Sequence, residues 1–430
     1  MDCGVDGSGF VPKTGAVRMN GESRVDSVAA LDDSGSAHRW FSVGWSRVVD
    51  SAEAGRAAAS AALGTVDGGQ PCAGRPDPKL LIAFCAASHD PDAALAGLTA
   101  AAGPVPLVGC STDAVITPDG PLDDGIVVVA LGGNGFSVAT ASAPVTGGRH
   151  REAGATVASC FEEIQDSPHR IVLLLTDGFS SEQEATLAGV YSVVGASLPL
   201  IGGSASPGSG QDRTFQLHGA KVLSDAVVCA AIGSDAPIGL GLRHGWRRAS
   251  DQLMVTHSAN GVVKTLNDQP ALETYLRELG APAEAYLDPL VFQAFARTRP
   301  IGVSRRGGED VRDVSSLEHF AEGWLCATGE IPEGGLVSLM EGDAGSVLDA
   351  AGAAIIAATD GLDQAAPLGL IAFDCVFRSG ILGEDGTRSE VNRLAGNGAP
   401  VAGMYTWGEI ARFQGINAYH NLTLAVLALG

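Results

Sequence analysis

An internal repeat limits the folds open to this chain of 430 residues. Six features occur in the same order three times: an extended run, a helix of small residues, a buried apolar strand, a second helix, a strand with a Pro-x-x-Gly signature, and a closing apolar strand. We interpret each occurrence as one copy of a common unit. The copies open at Phe41, Phe136 and Gly335, and their signatures begin at Pro106, Pro199 and Pro400.

The repeated strands are continuous apolar runs, such as LLIAF from Leu80 and IVLLL from Ile171. Such short apolar runs indicate strands that are buried on both faces. The helices between them carry end signals, with Asp90-Pro91 at one start and Gly103 at one end. We therefore predict a two-lobed α/β protein, in which three copies of a strand-helix-strand-helix-strand-strand unit form mixed sheets covered by helices.

An insert of about 100 residues with a different pattern separates the second and third copies. Residues 239–249 are predicted to form a strand. The tripeptide Ala259-Asn260-Gly261 predicts a hairpin turn between two alternating strands. Helices are predicted after Pro270 and over residues 282–296.

Charge and composition exclude several classes of function. The formal net charge is −22, which would repel nucleic acid and anionic membrane surfaces. No apolar stretch is long enough for a membrane span, and none of the eight cysteines forms a C-x-x-C pair. We therefore predict a cytoplasmic protein without nucleic-acid or membrane partners. Residues 1–38 are rich in Gly, Ser and Asp and are predicted to be a disordered tail.

Several motifs in their order and spacing resemble the FIST family, named for F-box and intracellular signal transduction proteins. The resemblance covers nearly the whole chain after the tail, with residues 39–246 similar to the FIST N domain and 247–430 to the FIST C domain. The motifs that carry it are PLVGCST, PLIGGSA, LSDAVVCAAIG, LRHGW, LNDQPALETYLRELG, IAFDCVFR, YTWGEI and HNLTLAVLAL.

The resemblance implies a bacterial ligand sensor, with no established enzyme activity. It implies a small-molecule ligand, either an amino-acid-like metabolite or a haem that responds to nitric oxide. It also implies a signalling partner in trans, such as a histidine kinase or a cyclic-di-GMP enzyme. One position departs from the family pattern: Asp374 stands where the family usually has serine before Cys375.

The strand ends carry the candidate ligand-binding residues, because ligands of open α/β sheets gather outside the carboxyl ends of strands. Arg378 offers a fork for a carboxylate, and Glu409 can accept from an amine, so together they would suit a zwitterion. Alternatively, these two residues pair with each other. The full set of predicted binding residues is Ser111, Ser204, Cys375, Arg378, Thr406, Glu409 and Asn421.

His244 is the candidate axial ligand of a haem, since Gly245 beside it would let a flat cofactor approach the backbone. The alternative is a core histidine bonded to a carbonyl. Asn421 is also a binding candidate, but a structural role that fixes its loop is favoured.

Two further functions stay open. In the first, the chain is an enzyme for a small metabolite, with Cys375 as nucleophile and His420 as its base beside Arg378 and Glu409. In the second, the chain is a scaffold without ligand, whose loops bind a partner protein.

Overall fold

The computed structural model describes residues 17–19, 23–31, 37–66, 70–71, 75–164, 166–180, 182–208, 212–305, 308–396, 398–412 and 419–430. It has a mixed α/β architecture of several mixed sheets covered by helices, as predicted. Within the segment predicted to be a disordered tail, two stretches form strands that extend the first sheet. The rest of residues 1–36 lies outside the described residues. None of the described helices is long and apolar enough to cross a membrane.

The first unit, unit 1, builds a sheet around one parallel pair of strands, β6 and β7, with antiparallel neighbours. Helices α1 and α2 connect the strands of this sheet. The elements of unit 1 are β1 (Val17–Met19), β2 (Ser23–Leu31), β3 (Ala37–Ser46), α1 (Ser51–Leu63), β4 (Thr65–Val66), β5 (Gln70–Pro71), β6 (Pro78–Ala86), α2 (Pro91–Ala102), β7 (Leu107–Thr112), β8 (Val115–Thr117), β9 (Gly120–Leu122) and β10 (Ile126–Gly132).

Unit 2 repeats the same order of elements. A 3-10 helix over Ser159–Ile164 follows its first α-helix. The other elements are β11 (Phe136–Pro144), α3 (His150–Ala158), β12 (His169–Thr176), α4 (Gln183–Val194), β13 (Leu200–Ser204), β14 (Gln216–His218), β15 (Lys221–Leu223) and β16 (Ala226–Ser234).

The insert forms a fourth sheet with its own core, in which Tyr275 and Phe292 pack edge to face. It also contains a 3-10 helix over Ala283–Tyr286. Its elements, with the strand β17 (Ile238–Arg243) that precedes them, are β18 (Arg247–Arg248), β19 (Leu253–Ala259), β20 (Val262–Leu266), β21 (Gln269–Pro270), α5 (Ala271–Glu278), α6 (Pro289–Ala296), β22 (Ile301–Arg305), β23 (Gly308–Arg312), β24 (Leu325–Cys326) and β25 (Leu336–Glu341).

Unit 3 completes its sheet with elements that follow the insert. Helix α8 is interrupted at Gly383, so that its second half turns back toward its start. The elements are α7 (Ala344–Asp360), β26 (Gly369–Cys375), α8 (Val376–Ala395), β27 (Val401–Thr406), β28 (Glu409–Arg412), β29 (Tyr419–His420) and β30 (Leu424–Leu429).

The predicted opening strand of unit 3 was wrong. The apolar run from Gly335 forms β25, which pairs with β19 and β22 in the fourth sheet. The place beside β30 belongs to β17, about 100 residues earlier. A Cβ at Gly241 of β17 would lie 1.8 Å from the Ala354 carbonyl of α7, so glycine permits this close packing. Sequence order misled the prediction because β25 directly precedes α7.

Each unit also lends a hairpin to another unit's sheet. The hairpin β8–β9 of unit 1 pairs with β27 of unit 3. Unit 2 lends β14–β15 to β7 of unit 1, and unit 3 lends β28–β29 to β13 of unit 2. The three exchanges close a ring, in which the sheet of each unit is completed by a hairpin from one other unit.

The glycine of the Pro-x-x-Gly signature has one physical role in all three units. It faces a residue of the parallel neighbouring strand, and a Cβ there would strike that residue's carbonyl oxygen. The distances from such a Cβ are 2.2 Å for Gly109 to Ala83, 1.8 Å for Gly202 to Leu174, and 2.2 Å for Gly403 to Ala372.

The main core lies between the three sheets and takes residues from each of them, including Phe84, Leu173 and Phe373. Phe84 of unit 1 and Phe373 of unit 3 meet edge to face at 5.8 Å between ring centroids. The helices cover the outer faces through separate clusters rich in alanine. The strand ends of the three units therefore sit in equivalent surroundings and can be compared directly.

Candidate ligand site at the strand ends

The register of the parallel strands defines one equivalent position in each unit, which we call the strand-end position. It lies six residues after the strand residue that faces the signature glycine. The strand-end positions are His89 in unit 1, Ser180 in unit 2 and Arg378 in unit 3.

In unit 3 the strand-end position is closed by a buried ion cluster. The Arg378 side chain is fully buried, and its Nε donates to Asp374 Oδ1 at 2.7 Å. Its Nη2 donates to Glu390, which the second half of α8 brings back onto it. Further donations reach the carbonyls of His244 at 3.2 Å and Val347 at 3.3 Å. The hydrogen-bond donors of Arg378 are therefore directed at acceptors of the protein itself and not at a ligand.

The Arg378 cluster contains two carboxyl groups for one guanidinium. Burial raises the pKa of Asp374 well above its usual range, and the nearby Glu390 raises it further. Asp374 Oδ2 and Glu390 Oε2 have no hydrogen-bond partner among the described residues. Asp374, the residue that departs from the family pattern, is thus one of the two carboxyl groups that bind Arg378.

Glu409 does not pair with Arg378, contrary to the alternative drawn from the sequence. It is fully buried and accepts hydrogen bonds from Thr406 Oγ1 at 2.5 Å, Thr423 Oγ1 at 2.7 Å and Thr423 N at 3.1 Å. Burial raises the pKa of Glu409 to about 7, against the lowering effect of these threonine hydrogen bonds. Three protein donors leave Glu409 little capacity for a ligand amine.

Cys375 lies at the end of β26 as predicted, but its surroundings do not produce a thiolate. Burial raises the pKa of its thiol well above the usual range, and Glu409 adds to the increase. His420 places Nε2 3.0 Å from the Ala411 carbonyl and Nδ1 3.8 Å from Asp310. A protonated thiol is a poor nucleophile, so the geometry does not support the enzyme hypothesis.

The polar residues predicted at the other strand ends form hydrogen bonds between neighbouring segments of the protein. Ser111 N donates to the Phe215 carbonyl at 3.0 Å, while Ser111 Oγ accepts from Phe215 N. Ser204 Oγ lies 2.9 Å from Thr176 Oγ1. Asn421 is buried, and its Oδ1 has no partner in the described part of the chain.

His244 does not fit the role of a haem ligand in this arrangement. Its Nδ1 accepts a hydrogen bond from Trp246 N at 2.9 Å, so the neutral ring carries its proton on Nε2. An axial histidine instead presents an unprotonated Nε2 to the iron. Burial lowers the pKa of His244 to about 4, which keeps the ring neutral near pH 7.

In unit 1 the strand-end position is filled by an imidazole. His89 is buried and lies between Ser51 Oγ, 3.1 Å from Nδ1, and the Asp124 carbonyl, 3.1 Å from Nε2. Burial lowers the pKa of His89, so the neutral ring is the form that fills the space.

Unit 2 has a cavity at the same place, with a volume of about 180 Å³. Here the serine is on the loop and the histidine is on the helix, with Ser180 Oγ 3.2 Å from His150 Nδ1. The cavity is formed by the ends of β11 and β12, the start of β16, and the first turns of α3 and α4. Its lining residues are Val145, Gly148, His150, Thr176, Asp177, Phe179, Ser180, Gln183, Thr186, Asp225, Ala226 and Val227.

Gln183 is the most informative residue of the cavity wall. It is 4% exposed, and its Nε2 donates to the carbonyls of Asp177 at 2.6 Å and Ser180 at 3.3 Å. Its Oε1 is buried without a donor among the described residues. An unsatisfied buried acceptor costs about 1–3 kcal/mol, so a donor placed in the cavity would recover this free energy.

The helices at the cavity also lack the caps that unit 1 has. Asp50 caps α1 and Asp90 caps α2, each by accepting from a first-turn backbone N–H at 2.8 Å. In unit 2 the cap positions are Arg149 and Glu182, and neither side chain makes a capping hydrogen bond among the described residues. The first turns of α3 and α4 therefore keep backbone donors and positive dipole ends beside the cavity.

The sequence interpretation missed the cavity, Gln183, Asp177 and His150. A signal was present in the repeat: aligning the copies places Arg149 where unit 1 has Asp50. The missing acidic cap in unit 2 could have drawn attention to these helix starts.

Comparison with known proteins agrees with the fold. The family model described as the FIST N domain matches residues 79–269, and the FIST C domain model matches residues 271–412. FIST domains are associated with signal transduction.

One similar protein is the uncharacterized protein MJ1623 of Methanocaldococcus jannaschii, 28% identical over 174 residues. The match covers 38% of this chain and 32% of that relative, so the chain spans about a third of the relative's length. Since the two domain models together cover well over half of the sequence, the protein belongs to the FIST family.

Proposed function

We propose that this protein is a ligand sensor of signal transduction that binds an amino-acid-like metabolite in the unit 2 cavity. The carrying observation is that equivalent positions are filled by protein groups in units 1 and 3, whereas unit 2 leaves a cavity with a buried, unsatisfied Gln183 oxygen. An apolar cavity of about 150 Å³ can bind benzene, so 180 Å³ suits a molecule of similar size.

The chemistry of the wall supports a zwitterion. Uncapped helix starts favour an anionic group, and in unit 1 the carboxylates of Asp50 and Asp90 satisfy the equivalent donors. A carboxylate of the ligand would play the same part at α3 and α4. Its ammonium group would donate to Gln183 Oε1, near the buried carboxylate of Asp177. This proposal moves zwitterion recognition from Arg378 and Glu409 to unit 2.

Contacts across the ring support transmission of the signal. Phe179 lines the cavity and packs edge to face on Trp407 of unit 3, with ring centroids 5.0 Å apart. The backbone N–H of Trp407 donates to the Ser204 carbonyl of unit 2 at 3.2 Å. A ligand that favours one arrangement of these groups shifts a partner's affinity by its differential affinity.

The partner in this proposal is a cytoplasmic signalling protein, such as a histidine kinase or a cyclic-di-GMP enzyme, as the family resemblance implies. The haem and nitric oxide version receives no support from His244, because the Trp246 amide occupies Nδ1. In this proposal the residues predicted to bind from the sequence, Ser111, Ser204, Cys375, Arg378, Thr406, Glu409 and Asn421, have structural roles and do not contact the ligand.

The test is ligand-induced stabilisation, because a ligand that binds the folded state raises the melting temperature with its concentration. The panel consists of L-amino acids, each beside its amide and its decarboxylated amine. We expect at least one free amino acid to raise the melting temperature and its two derivatives to do so less. Haem added separately is expected to give no Soret band that depends on His244.

Two cavity variants and one control sharpen this test. Gln183→Met removes the acceptor, and Ala226→Leu fills the cavity from a buried wall residue; both should weaken or abolish the ligand shift. Gln293→Met, whose amide bonds Ser315 O in the insert, should retain it. A panel without any hit would contradict the sensor function and favour the scaffold. A hit that survives both cavity variants would contradict the site.

A further inference from the structure

Two cysteines of unit 2 lie in direct contact behind the cavity wall. Cys160 is in the 3-10 helix Ser159–Ile164, and Cys229 is in the middle of β16. Their sulfur atoms are 3.6 Å apart, and 69 residues separate them in the sequence. A disulfide requires about 2.05 Å between sulfurs, so the pair needs to close by about 1.5 Å.

The two thiols are electronically unequal. The hydrogen bond with Cys229 lowers the pKa of Cys160, while burial acts in the opposite direction. The same hydrogen bond, together with burial, raises the pKa of Cys229 well above its usual range. Cys160 thus has the greater thiolate character, and Cys229 keeps its proton until a partner sulfur becomes electrophilic.

The other cysteines provide the contrast. Burial raises the pKa of Cys85 to about 12 and that of Cys110 well above its usual value. Cys326 is half-buried beside Glu318, and its pKa is also raised. Among the cysteines that the structure describes, Cys160 combines a lowered pKa with a second thiol in contact.

We propose that Cys160 and Cys229 form a redox-active dithiol site that hydrogen peroxide converts to a disulfide. The Cys160 thiolate attacks one peroxide oxygen, breaking the O–O bond and forming a sulfenic acid, and hydroxide leaves and takes up a proton as water. The Cys229 sulfur then attacks the Cys160 sulfur, which forms the S–S bond and expels a second water. The protein loses two electrons and two protons, and one peroxide is reduced to two waters.

The position of the pair gives this chemistry a structural consequence. The 3-10 helix that holds Cys160 directly continues α3, and α3 begins with the cavity residue His150. Cys229 stands two residues after Val227, another residue of the cavity wall. A disulfide would tether these two walls, so oxidation would rigidify the elements that enclose the cavity.

The test is thiol mapping of the full chain, with Cys3 and Cys72 replaced by serine because they lie outside the described residues. The protein is treated with a slight excess of hydrogen peroxide, alkylated and digested, and its peptides are identified without reduction. We expect a Cys160–Cys229 cross-linked peptide, a loss of two alkylatable thiols that dithiothreitol restores, and a higher melting temperature of the oxidised form. Cys326→Ser is the matched control and should leave all three results unchanged.

Two results would overturn the site. The first is oxidation of Cys160 to sulfinic acid with Cys229 still alkylatable after denaturation. The second is the same two-thiol loss in Cys160→Ser and Cys229→Ser proteins that keep the wild-type circular dichroism spectrum. Comparing oxidised with reduced wild-type protein needs no core variant, so the proposal stays testable if a serine substitution unfolds the chain. It is also independent of the proposed ligand.

Discussion

Units 1 and 2 place the same two residue types at the same two positions, but in opposite order. Unit 1 has Ser51 at the helix start and His89 at the strand-end position, whereas unit 2 has His150 and Ser180. The hydrogen bond between them has nearly the same length, 3.1 Å and 3.2 Å. The position of the ring decides the outcome. In unit 1 the imidazole of His89 is on the loop and fills the strand-end position. In unit 2 the imidazole of His150 is on the helix, and a cavity lies beside Ser180.

The helix caps follow the same division. Unit 1 satisfies its helix starts with its own aspartates, and unit 2 leaves the corresponding donors beside the cavity. Among the described residues, the helix starts of unit 1 are thus capped by side chains, whereas those of unit 2 are not. In the proposed function, the binding site of unit 2 arises by omission of side chains that the other copies retain.

Unit 3 extends the comparison to a charged filling. Arg378 occupies the strand-end position and ties β26, α7, α8 and the end of β17 together. We expect truncation of the three side chains to lower the free energy of unfolding by very different amounts. Arg378 belongs to a buried ion cluster, His89 is a hydrogen-bonded ring, and Ser180 lies beside a cavity. Substitution at each strand-end position therefore tests whether the three positions correspond in the fold but contribute differently to stability.

Arg378→Met is expected to have the largest effect. Removing the guanidinium leaves Asp374 and Glu390 buried without their cation, and breaking such a pair costs about 3–5 kcal/mol. The free energy of unfolding from urea titration at pH 7 measures it. Arg393→Met, on the same helix with an exposed side chain, should cost less than about 1 kcal/mol. Equal stability of the two variants would contradict a charged anchor at Arg378.

His89→Ala is expected to come second. It removes a buried ring and two hydrogen bonds, for which truncations of this size cost about 2–4 kcal/mol. It should also open a cavity in unit 1 like that of unit 2, so added imidazole should raise the melting temperature of this variant. His169→Ala, at the half-buried start of β12, serves as the control and should not respond. Absence of imidazole rescue would argue that the two positions are not equivalent.

Ser180→Ala should have the smallest effect on stability. The serine borders the cavity and is half-buried, so its removal is expected to change the free energy of unfolding by only about 0.5 kcal/mol. Ser51→Ala should cost about 1 kcal/mol, because Ser51 Oγ contacts His89 and also accepts from Asp90 N at 3.0 Å. Urea titration of both variants makes the comparison, and a reversed order would remove the distinction between a filled and an open site.

The sequence revealed the repeat but not the location of the cavity. It predicted that polar residues gather at strand ends, and Cys375 and Thr406 do end β26 and β27, whereas Glu409 begins β28. It could not predict that Arg378 would form ion pairs with Asp374 and Glu390, because Glu390 reaches Arg378 only after α8 bends at Gly383. The cavity was missed because its main sequence signal is the absence of side chains that unit 1 has.

The sequence by itself determined the α/β class and the three signature strands, because short apolar runs that must be buried are visible within each local stretch. Only the tertiary structure decided that β17 opens unit 3, that the units exchange hairpins, and that unit 2 alone of the three compared strand ends has the cavity described. The place of β17 and the hairpin exchanges depend on contacts between residues more than 100 positions apart. Strand pairing between such distant segments produces no periodicity or residue spacing in the sequence, so it cannot be predicted from local patterns.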